Sequence, residues 1–359
     1  MVKGIIGLQR KYRPLNSVRL AQKASVAKNM SVTNNEEKGA QSRTSNEQVS
    51  AKTSSTVAVL GSLHLDIMVN APDRPKKGET LPGSAWSYKA GGKGGNQAVA
   101  AAQFGAQASM IGRVGDDDFG KRLLSHLQSS QVDTKHVRID PAANSGMSVA
   151  IIDAEGDYGA VIVSGANLRL AEEDVRDALE VLQRASVLVL QNEIPDAANV
   201  LAAEAAKRHG ARVVFNAAPT RPLDPLLAQN VDILVVNAVE AEMMCGVPVG
   251  SLSAAGEAAT QLSSQISNVI VTAGGMGLAL VERGQSPQAQ AAHAVSLVDT
   301  HGAGDTFIGA LAARLVDGSS LLEATRFANA AASLFVSTTA GQKKSVTFDR
   351  VMRFLSENS

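Results

Sequence analysis

The chain has 359 residues, of which 45% are hydrophobic and 19% are charged. These fractions are typical of a folded globular protein and exclude a chain that is disordered throughout. Lysine plus arginine and aspartate plus glutamate both number 34, so the zero net charge gives no indication of nucleic-acid or anionic-membrane binding.

The single cysteine and the short apolar segments bear on where the protein works. Cys245 has no second cysteine to pair with, which excludes an internal disulfide and a cysteine-based zinc site and favours a reducing compartment. No apolar run approaches the roughly 20 residues that span a bilayer. We therefore expect a cytoplasmic protein that neither spans a membrane nor binds nucleic acid.

The first 55 residues differ in composition from the rest. Residues 1–35 contain arginine and lysine but no acidic residue, and residues 31–55 are rich in serine, threonine, asparagine, glutamine and glutamate. A basic start of this kind resembles an organelle-targeting segment, and a disordered extension is the alternative. In either case we expect that residues 1–55 do not pack on the domain formed by residues 56–359.

From Thr56 onward, short apolar runs alternate with segments of helical periodicity. The first run, from Val57 to Gly61, is typical of a buried strand. Buried strands that alternate with helices of about 10–15 residues predict an α/β fold with a mainly parallel central sheet and helices on both faces. Further strands are predicted at residues 109–114, 187–191, 212–216, 233–236 and 269–272, and helices at 172–184, 196–209 and 253–266.

Two segments, at about residues 66–90 and 146–164, break this alternation. The first contains several turn residues and the only tryptophan, Trp86, and the second has the pattern of two strands joined by a turn that contains Gly156. Neither has helical periodicity, so we predict that together they form a small β-sheet lid over a site. The edges of this lid would be exposed, and a homodimer formed through the lid would cover them.

The segment DTHGAGDTF, at residues 299–307, carries the clearest functional signal. Gly302, Ala303 and Gly304 lead into a helix rich in alanine, so their N–H groups can converge on an anion at the helix N-terminus. Asp305, beside such an anion hole, can accept a proton from a hydroxyl that attacks a phosphorus atom. The alternative is that Asp305 only caps the helix.

Two further segments suggest contacts with a polyol. KAGGKGGNQ, at residues 89–97, lacks the spacing of a P-loop, but Asn96 is placed to hydrogen-bond hydroxyl groups; a loop leading into a helix with an exposed Lys93 is the alternative. Near the exit of the first strand, alternation puts His64 and Asp66 on one face. The Asp66 carboxylate suits bidentate hydrogen bonds to a sugar, although an ordinary strand-end aspartate has the same pattern.

Several motifs occur in a characteristic order: Asp66, GGKGGN at 91–96, QNE at 191–193, NAVE at 237–240, TAGGMG at 272–277 and DTHGAGDTF at 299–307. In this combination the chain, over about residues 56–357, resembles the ribokinase-like, or PfkB-type, carbohydrate kinases. The resemblance implies a kinase that uses ATP, with Mg²⁺ and a monovalent cation (K⁺), to phosphorylate a hydroxymethyl group of a small sugar such as D-ribose.

The resemblance also implies roles for individual residues. Asp305 would be the general base, and Gly302, Ala303 and Gly304 would form the anion hole. The sugar would be bound by His64, Asp66, Gly92, Lys93, Asn96, Glu193 and Asp305; ATP by Asn237, Thr272, Gly274, Gly277, Gly304 and Asn329; Mg²⁺, through water, by Glu240; and K⁺ by Asp299, His301, Val336, Thr339, Gly341 and Ser345. Two positions depart from the family pattern, since His64 replaces an asparagine and Lys343 replaces a proline.

Two other functions are compatible with the sequence. A fructokinase or a nucleoside kinase would share the fold, and Trp86, Tyr88 and Tyr158 of the predicted lid offer aromatic rings that could sandwich a base. A sugar-binding protein without catalysis is the alternative from another class, but it would have no use for Asp305 beside an anion hole. A phosphorylation assay with ribose, fructose and adenosine separates these functions.

Overall fold

The structure, a computed structural model, describes residues 56–155 and 157–358, so the predictions for residues 1–55 lie outside the described residues. The described residues form a nine-stranded sheet and a separate four-stranded sheet. The strands are β1 (Thr56–Leu60), β2 (His64–Asn70), β3 (Ala85–Gly91), β4 (Gln107–Gly115), β5 (Asp133–Asp140), β6 (Gly146–Ile152), β7 (Tyr158–Val163), β8 (Val187–Gln191), β9 (Arg212–Asn216), β10 (Ile233–Asn237), β11 (Asn268–Thr272), β12 (Gly277–Val281) and β13 (Gln288–Ala291).

The large sheet has the strand order β13-β12-β11-β10-β9-β8-β1-β4-β5. All neighbours from β5 to β11 pair in parallel, and β12 and β13 continue the sheet in antiparallel pairing. Alternate residues of β1 enter different cores, with Val57 and Val59 on one face and Ala58 and Leu60 on the other. The central strands are therefore buried on both sides, as the absence of polar alternation predicted.

Helices cover both faces of the large sheet. One face packs against α1 (Lys93–Gln103), α2 (Asp118–Ser129), α9 (Ala303–Val316), α10 (Leu321–Val336) and α11 (Phe348–Glu357). The other packs against α3 (Glu172–Asp177), α4 (Leu179–Arg184), α5 (Asp196–Arg208), α6 (Pro225–Ala228), α7 (Ala238–Cys245) and α8 (Leu252–Leu262). The predicted α/β fold is confirmed. Within the described part of the chain, no helix is long and apolar enough to cross a membrane.

The two segments predicted to leave the large sheet form the small one, which we call the lid sheet. Its strand order is β3-β2-β6-β7. The hairpins β2–β3 and β6–β7 are antiparallel, and they join through a parallel pairing of β2 with β6. The separate sheet is confirmed, while its action as a lid stays a prediction.

The structure also differs from the sequence prediction in two respects. Strands β5, β12 and β13 were not predicted. Strands β5 and β13 alternate between buried and exposed residues near the sheet edges, whereas β12 is a short buried apolar run that follows β11 closely in the chain. The helix predicted over residues 172–184 is divided at Ala178, whose ψ of 7° ends α3. Val175 and Leu182 still enter one core, so the periodicity revealed the shared apolar face but not the break.

Candidate active site

The N-terminus of α9 offers an open anion-binding position. The helix begins after Gly302, whose φ of 89° is readily adopted only by glycine. Apart from its chain neighbours and the backbone of its own helix, no atom lies within 4 Å of the place that a Cβ would take at Gly304, so a ligand can approach the backbone there. The Ala303 N–H donates to the Thr300 carbonyl at 3.2 Å. The remaining first-turn N–H groups and the helix dipole favour an anion at this end.

Asp305 lies in the first turn of α9, and side chains of α1 orient it. Asn96 Nδ2 donates to Asp305 Oδ2 at 2.9 Å, and Gln97 Nε2 donates to Asp305 Oδ1 at 3.0 Å. Burial raises the pKa of Asp305 above its ordinary value, against the opposing effects of Lys93, Asn96 and Gln97. A fixed carboxylate with a raised pKa is suited to accept a proton, so its geometry goes beyond that of a helix cap.

Gln97 connects Asp305 to the carboxyl edge of the large sheet. This side chain is fully buried, and its amide also donates to Asn216 Oδ1 at 3.1 Å. Its Oε1 accepts from Gln191 Nε2 at 2.9 Å. Asn216 and Gln191 are the last residues of β9 and β8, so the ends of two parallel strands hold the amide that holds Asp305. Such a buried chain of hydrogen bonds fixes side-chain positions.

One face of the lid sheet carries the residues predicted to bind the sugar. Asp66 is opposite Lys89 on β3 and Ser148 on β6, and Ser148 Oγ donates to Asp66 Oδ1 at 2.5 Å. Burial lowers the pKa of Lys89, while Asp299, Asp66 and Asp305 act to raise it, so this ammonium faces the acidic groups of the site. His64 is buried on the same strand face as Asp66.

The glycine-rich loop closes the site between β2 and α1. Gly92 has a φ of 85°, and a Cβ there would come within 2.8 Å of His64 N. At the next residue, the Lys93 N–H donates to Glu193 Oε2 at 2.9 Å, and Ser62 Oγ donates to the same oxygen. The structure therefore brings together the predicted sugar residues of β2, of this loop and of the segment after β8.

Asn237 and Glu240 form a capping box at the start of α7. Asn237 Oδ1 accepts from Glu240 N at 2.9 Å, and Glu240 Oε2 accepts from Asn237 N at 2.8 Å. Burial raises the pKa of Glu240, which Lys93 lowers and Asp305 raises further. Glu240 is therefore near enough to Lys93 and Asp305 for their charges to act on it. The capping box accounts for the i, i+3 spacing by itself, so any contact with Mg²⁺ or ATP is a proposal.

The residues matched to the nucleotide loop lie at the other end of the site. Thr272 ends β11, and Gly274 begins a short 3₁₀ turn with a φ of 56°. A Cβ at Gly277 would lie 2.0 Å from the Gln290 carbonyl, so the pairing of β12 with β13 requires glycine there. Asn329 Nδ2 donates to the Ala291 carbonyl at 2.8 Å and ties α10 to β13. Both residues therefore have structural roles independent of a nucleotide.

The residues matched to a monovalent-cation site do not form a free cage of oxygen atoms. Lys343 Nζ lies 2.7 Å from Asp299 Oδ2 and 3.2 Å from the His301 carbonyl. The Val336 carbonyl accepts from the N–H groups of residues 298 and 299. Thr339 precedes the 3₁₀ turn Ala340–Ser345, in which Gly341 and Ser345 are exposed. The set therefore does not fit K⁺, because an ammonium group already contacts its acidic ligand.

Several residues of the site were not found from the sequence. Lys89 and Ser148 could only be placed by the pairing of the lid strands. Gln97 had a signal that was overlooked, namely a polar residue on an otherwise apolar, alanine-rich helix face. In the described residues, no cluster of three or more His, Cys, Asp or Glu side chains is arranged to hold a metal ion.

Comparison with known proteins agrees with this geometry. The chain matches the pfkB family of carbohydrate kinases over residues 54–347. It is 35% identical over 301 residues to the ribokinase of Haemophilus influenzae, covering 84% of this chain and 98% of that protein. It is 34% identical over 304 residues to a deoxyribokinase of Salmonella typhi, with coverage of 84% and 99%. The solved structure of Arabidopsis thaliana ribokinase complexed with ribose and ATP matches with a TM-score of 0.77 at 32% identity, covering 83% of this chain and 98% of that one.

A carboxylate beside an open helix N-terminus, on a parallel sheet with a separate small sheet, is an arrangement suited to phosphoryl transfer to a small molecule. The chain belongs to the pfkB family of carbohydrate kinases, because the match extends over most of its length. The family membership that the motifs indicated is thereby confirmed.

Proposed function

We propose that the chain is an ATP-dependent sugar kinase that phosphorylates the hydroxymethyl hydroxyl of ribose. The observation that carries the proposal is Asp305, held by two amides beside an open helix N-terminus. The ribokinase of Haemophilus influenzae and the Arabidopsis ribokinase complexed with ribose and ATP support ribose as the acceptor and ATP as the donor.

In the proposed reaction, Asp305 takes the proton of the sugar hydroxyl as its oxygen attacks the γ-phosphorus of ATP. A new P–O bond forms to the sugar, the bond between the γ-phosphorus and the bridging oxygen breaks, and ADP leaves. The N–H groups around Gly304 would stabilise the negative charge on the transferred phosphoryl group. Lys93, which electrostatically lowers the pKa of Asp305, is close enough to counter the negative charge of the site.

The donor set at α7 fits a magnesium ion held partly through water. Glu240 uses one oxygen for the Asn237 N–H, and a carboxylate has a second oxygen for a hard cation or its water. When bound, Mg²⁺ would neutralise charge on the ATP phosphates. ATP itself would lie between Asn237, Thr272, Gly274 and Asn329. We do not extend the proposal to a monovalent cation, because Lys343 contacts the acidic group that would bind it.

The sugar pocket favours a sugar over a nucleoside. Lys89 faces the acidic groups of the site, so strand alternation directs Trp86 and Tyr88 to the opposite face of β3. Tyr88 packs there against Phe119, with ring centroids 6.1 Å apart, and Arg122 lies over its ring. These two aromatic residues are therefore not placed to sandwich a base in the site.

His64 makes 2-deoxyribose a second candidate substrate. Its Nε2 is buried and has no hydrogen-bond partner among the described residues. A buried nitrogen of this kind is costly unless a ligand pairs with it, so we propose that it contacts a sugar hydroxyl. Imidazole offers a different set of donors and acceptors from the asparagine of the family pattern. The Salmonella typhi deoxyribokinase supports including 2-deoxyribose beside ribose, fructose and adenosine in the substrate panel.

The mutation Asp305→Asn tests the proposed base. It keeps the shape of the side chain but removes the proton acceptor, so kcat with ribose should fall by about 10²–10⁴-fold while the KM for ATP changes little. Asp317→Asn, at the exposed C-terminal end of the same helix, is the matched control and should keep native turnover. Turnover of Asp305→Asn within a few-fold of the native value would contradict the assignment.

The free energy of unfolding shows whether the lower turnover of Asp305→Asn comes from loss of the base or from loss of the fold. Because folding raises the pKa of Asp305, the native state binds the proton more tightly, and the ionised side chain costs stability at neutral pH. Asp305→Asn should therefore raise the free energy of unfolding, by roughly 0.5–2 kcal/mol. If the variant were instead less stable than the native protein, unfolding rather than loss of the base would explain its low turnover.

We also propose that the lid sheet forms a dimer contact and that the protein works in the cytoplasm. Trp86, Val161 and Val163 share the sheet face directed away from the site, and each is more than half exposed. An apolar face beside an open strand edge is typical of an interaction surface. The free thiol of Cys245 agrees with a reducing compartment, and a fluorescent fusion of the full chain would test the location.

A further inference from the structure

Lys343 places a positive charge at the loop that leads into the anion site. Its side chain is only 12% exposed. Nζ lies 2.7 Å from Asp299 Oδ2, 3.2 Å from the His301 carbonyl oxygen and 3.5 Å from the Asp299 carbonyl oxygen. One carboxylate and two carbonyl groups thus surround an ammonium group, which has three N–H donors and no acceptor.

An aromatic ring completes the surroundings of this ammonium group. Lys343 Nζ lies 4.0 Å from the centroid of the Phe335 ring, which is the distance of a cation–π contact. The edge of the same ring lies beneath Gly302, since a Cβ there would be 3.5 Å from Phe335 Cε1. The ammonium group is therefore joined, through one ring and through the His301 carbonyl, to the turn that starts α9.

The backbone of Lys343 is anchored independently of its side chain. Gln103 Nε2 on α1 donates to the Lys343 carbonyl at 2.9 Å and to the Val346 carbonyl at 2.8 Å. Val346 is fully buried in the core that contains α1 and α9. Because the backbone is anchored at Lys343 itself and at Val346, just after the 3₁₀ turn, the lysine side chain starts from a fixed position from which it reaches Asp299.

We propose that the Lys343 ammonium group takes the place of a bound monovalent cation, so that turnover does not require K⁺. A monovalent cation needs carboxylate and carbonyl oxygens directed at one point, and here those of Asp299 and His301 are directed at Nζ. A tethered charge is present at a high effective concentration and is not diluted or exchanged. It holds the loop before Gly302 and contributes positive potential at the site where phosphoryl charge develops.

The charges around Asp299 agree with this arrangement. Burial raises the pKa of Asp299, but the hydrogen bonds from Lys343 and from the His301 N–H outweigh this effect. The pKa is therefore below its ordinary value, and the carboxylate stays ionised. Lys343 also adds to the effect of burial in lowering the pKa of Lys89, which faces the same carboxylate. Lys343 thus contacts Asp299 while the charge of Lys89 also acts on it, and a further cation would be repelled by both lysines.

The test compares native protein with Lys343→Ala and Lys343→Met in buffers whose only monovalent cation is tetramethylammonium or K⁺, each at about 0.1 M. Native kcat with ribose and MgATP should change by less than about twofold between the two salts. Without K⁺, Lys343→Ala should lose about tenfold or more in kcat, and K⁺ should restore most of it. Lys344→Met, at the exposed neighbouring residue, is the control and should behave as the native protein.

Thermal unfolding provides a readout that does not depend on the proposed function. K⁺ that binds the folded protein raises its Tm, so the native Tm should be equal in both salts, and that of Lys343→Ala should rise in K⁺ alone. Lys343→Met keeps the length of the side chain without the charge, and it replaces the alanine variant if that variant does not fold.

Three results would overturn the proposal. The first is a native enzyme whose kcat rises tenfold in K⁺. The second is a Lys343→Ala protein whose kcat without K⁺ equals the native value. The third is a folded variant that K⁺ neither activates nor stabilises. If no sugar is phosphorylated by the native protein, the proposed function fails, while the Tm comparison still decides the role of Lys343.

Discussion

The hydrogen bonds to Asp305, the proposed base, come from two amides of another helix, α1, and one of them, Gln97, also joins it to the large sheet. Gln97 donates to Asp305 Oδ1 and to Asn216, and it accepts from Gln191. A hydrogen bond to the carboxylate stabilises its charged form, so this amide lowers the pKa of Asp305 while burial raises it. Gln97 is thus a positioning residue, since it acts on the reaction through Asp305.

The variant Gln97→Leu should show both effects. Loss of the amide raises the pKa of Asp305, and the base acts only when ionised, so the acidic fall of kcat/KM should move to higher pH. The kcat at the optimum should also decrease, by about 10-fold or more, because the carboxylate loses its orientation. The pH profile of kcat/KM measures the shift, and Gln128→Leu, at an exposed position of α2, is the control. A lower kcat with an unmoved pH profile would mean that Gln97 only supports packing.

At the scale of elements, the contact between α1 and α9 brings the glycine-rich loop before α1 close to Asp305, the proposed base. Gly309 on α9 faces α1 so closely that a Cβ there would lie 2.4 Å from Ala100 Cβ and 2.6 Å from Ala101 N. Helices with alanine and glycine at the crossing can approach this closely, and Asn96 of α1 then reaches Asp305 of α9. The many alanines and glycines of the sequence have here a direct consequence for the site.

Gly309→Ala should therefore destabilise the protein, although the same change in a helix interior normally stabilises by about 0.5–1 kcal/mol. The extra methyl group has no room and must push the two helices apart, at a cost of roughly 1–3 kcal/mol. Urea unfolding measures this cost, and kcat should fall with it because Asn96 and Asp305 separate. Gly304→Ala, with no atom within 4 Å of the new methyl group, is the control for stability. Equal stability of both variants would contradict this account of the crossing.

At the scale of the whole molecule, the lid sheet carries the polar residues Asp66, Lys89 and Ser148 on one face and exposed apolar residues on the other. Val161 and Val163 on β7 are 70% and 52% exposed, and Trp86 on β3 is 65% exposed. A second copy of the chain would cover this surface and the open edge of β7.

The double variant with Val161→Lys and Val163→Lys should be monomeric, because charges in an apolar interface remain unpaired when it forms. Light scattering after size exclusion should give a dimer mass for the native protein and half that mass for the variant. Leu226→Lys, on an exposed residue of α6 that lies outside the lid, is the control and should stay dimeric. A native protein that is monomeric at micromolar concentration would exclude the lid contact.

Short-range patterns in the sequence determined much of the fold. Apolar runs such as Val187–Gln191 and the glycines before Asp305 specify buried strands and a helix start through short-range effects, so the α/β fold, the separate sheet and the start of α9 could be predicted. The exposed, alternating or short strands β5 and β13 could not, because pairing at a sheet edge depends on neighbours distant in the chain.

Only the tertiary structure decided which polar and charged side chains contact each other. Lys89 is opposite Asp66 because β3 pairs with β2 in one register, and Gln97 reaches Asp305 because α1 packs on α9. Lys343 and Asp299 are 44 residues apart, and their contact depends on how Gln103 anchors the last 3₁₀ turn. Pairs of this kind cannot be read from a sequence, because the partner of each polar side chain lies in a distant segment that only the fold brings to it.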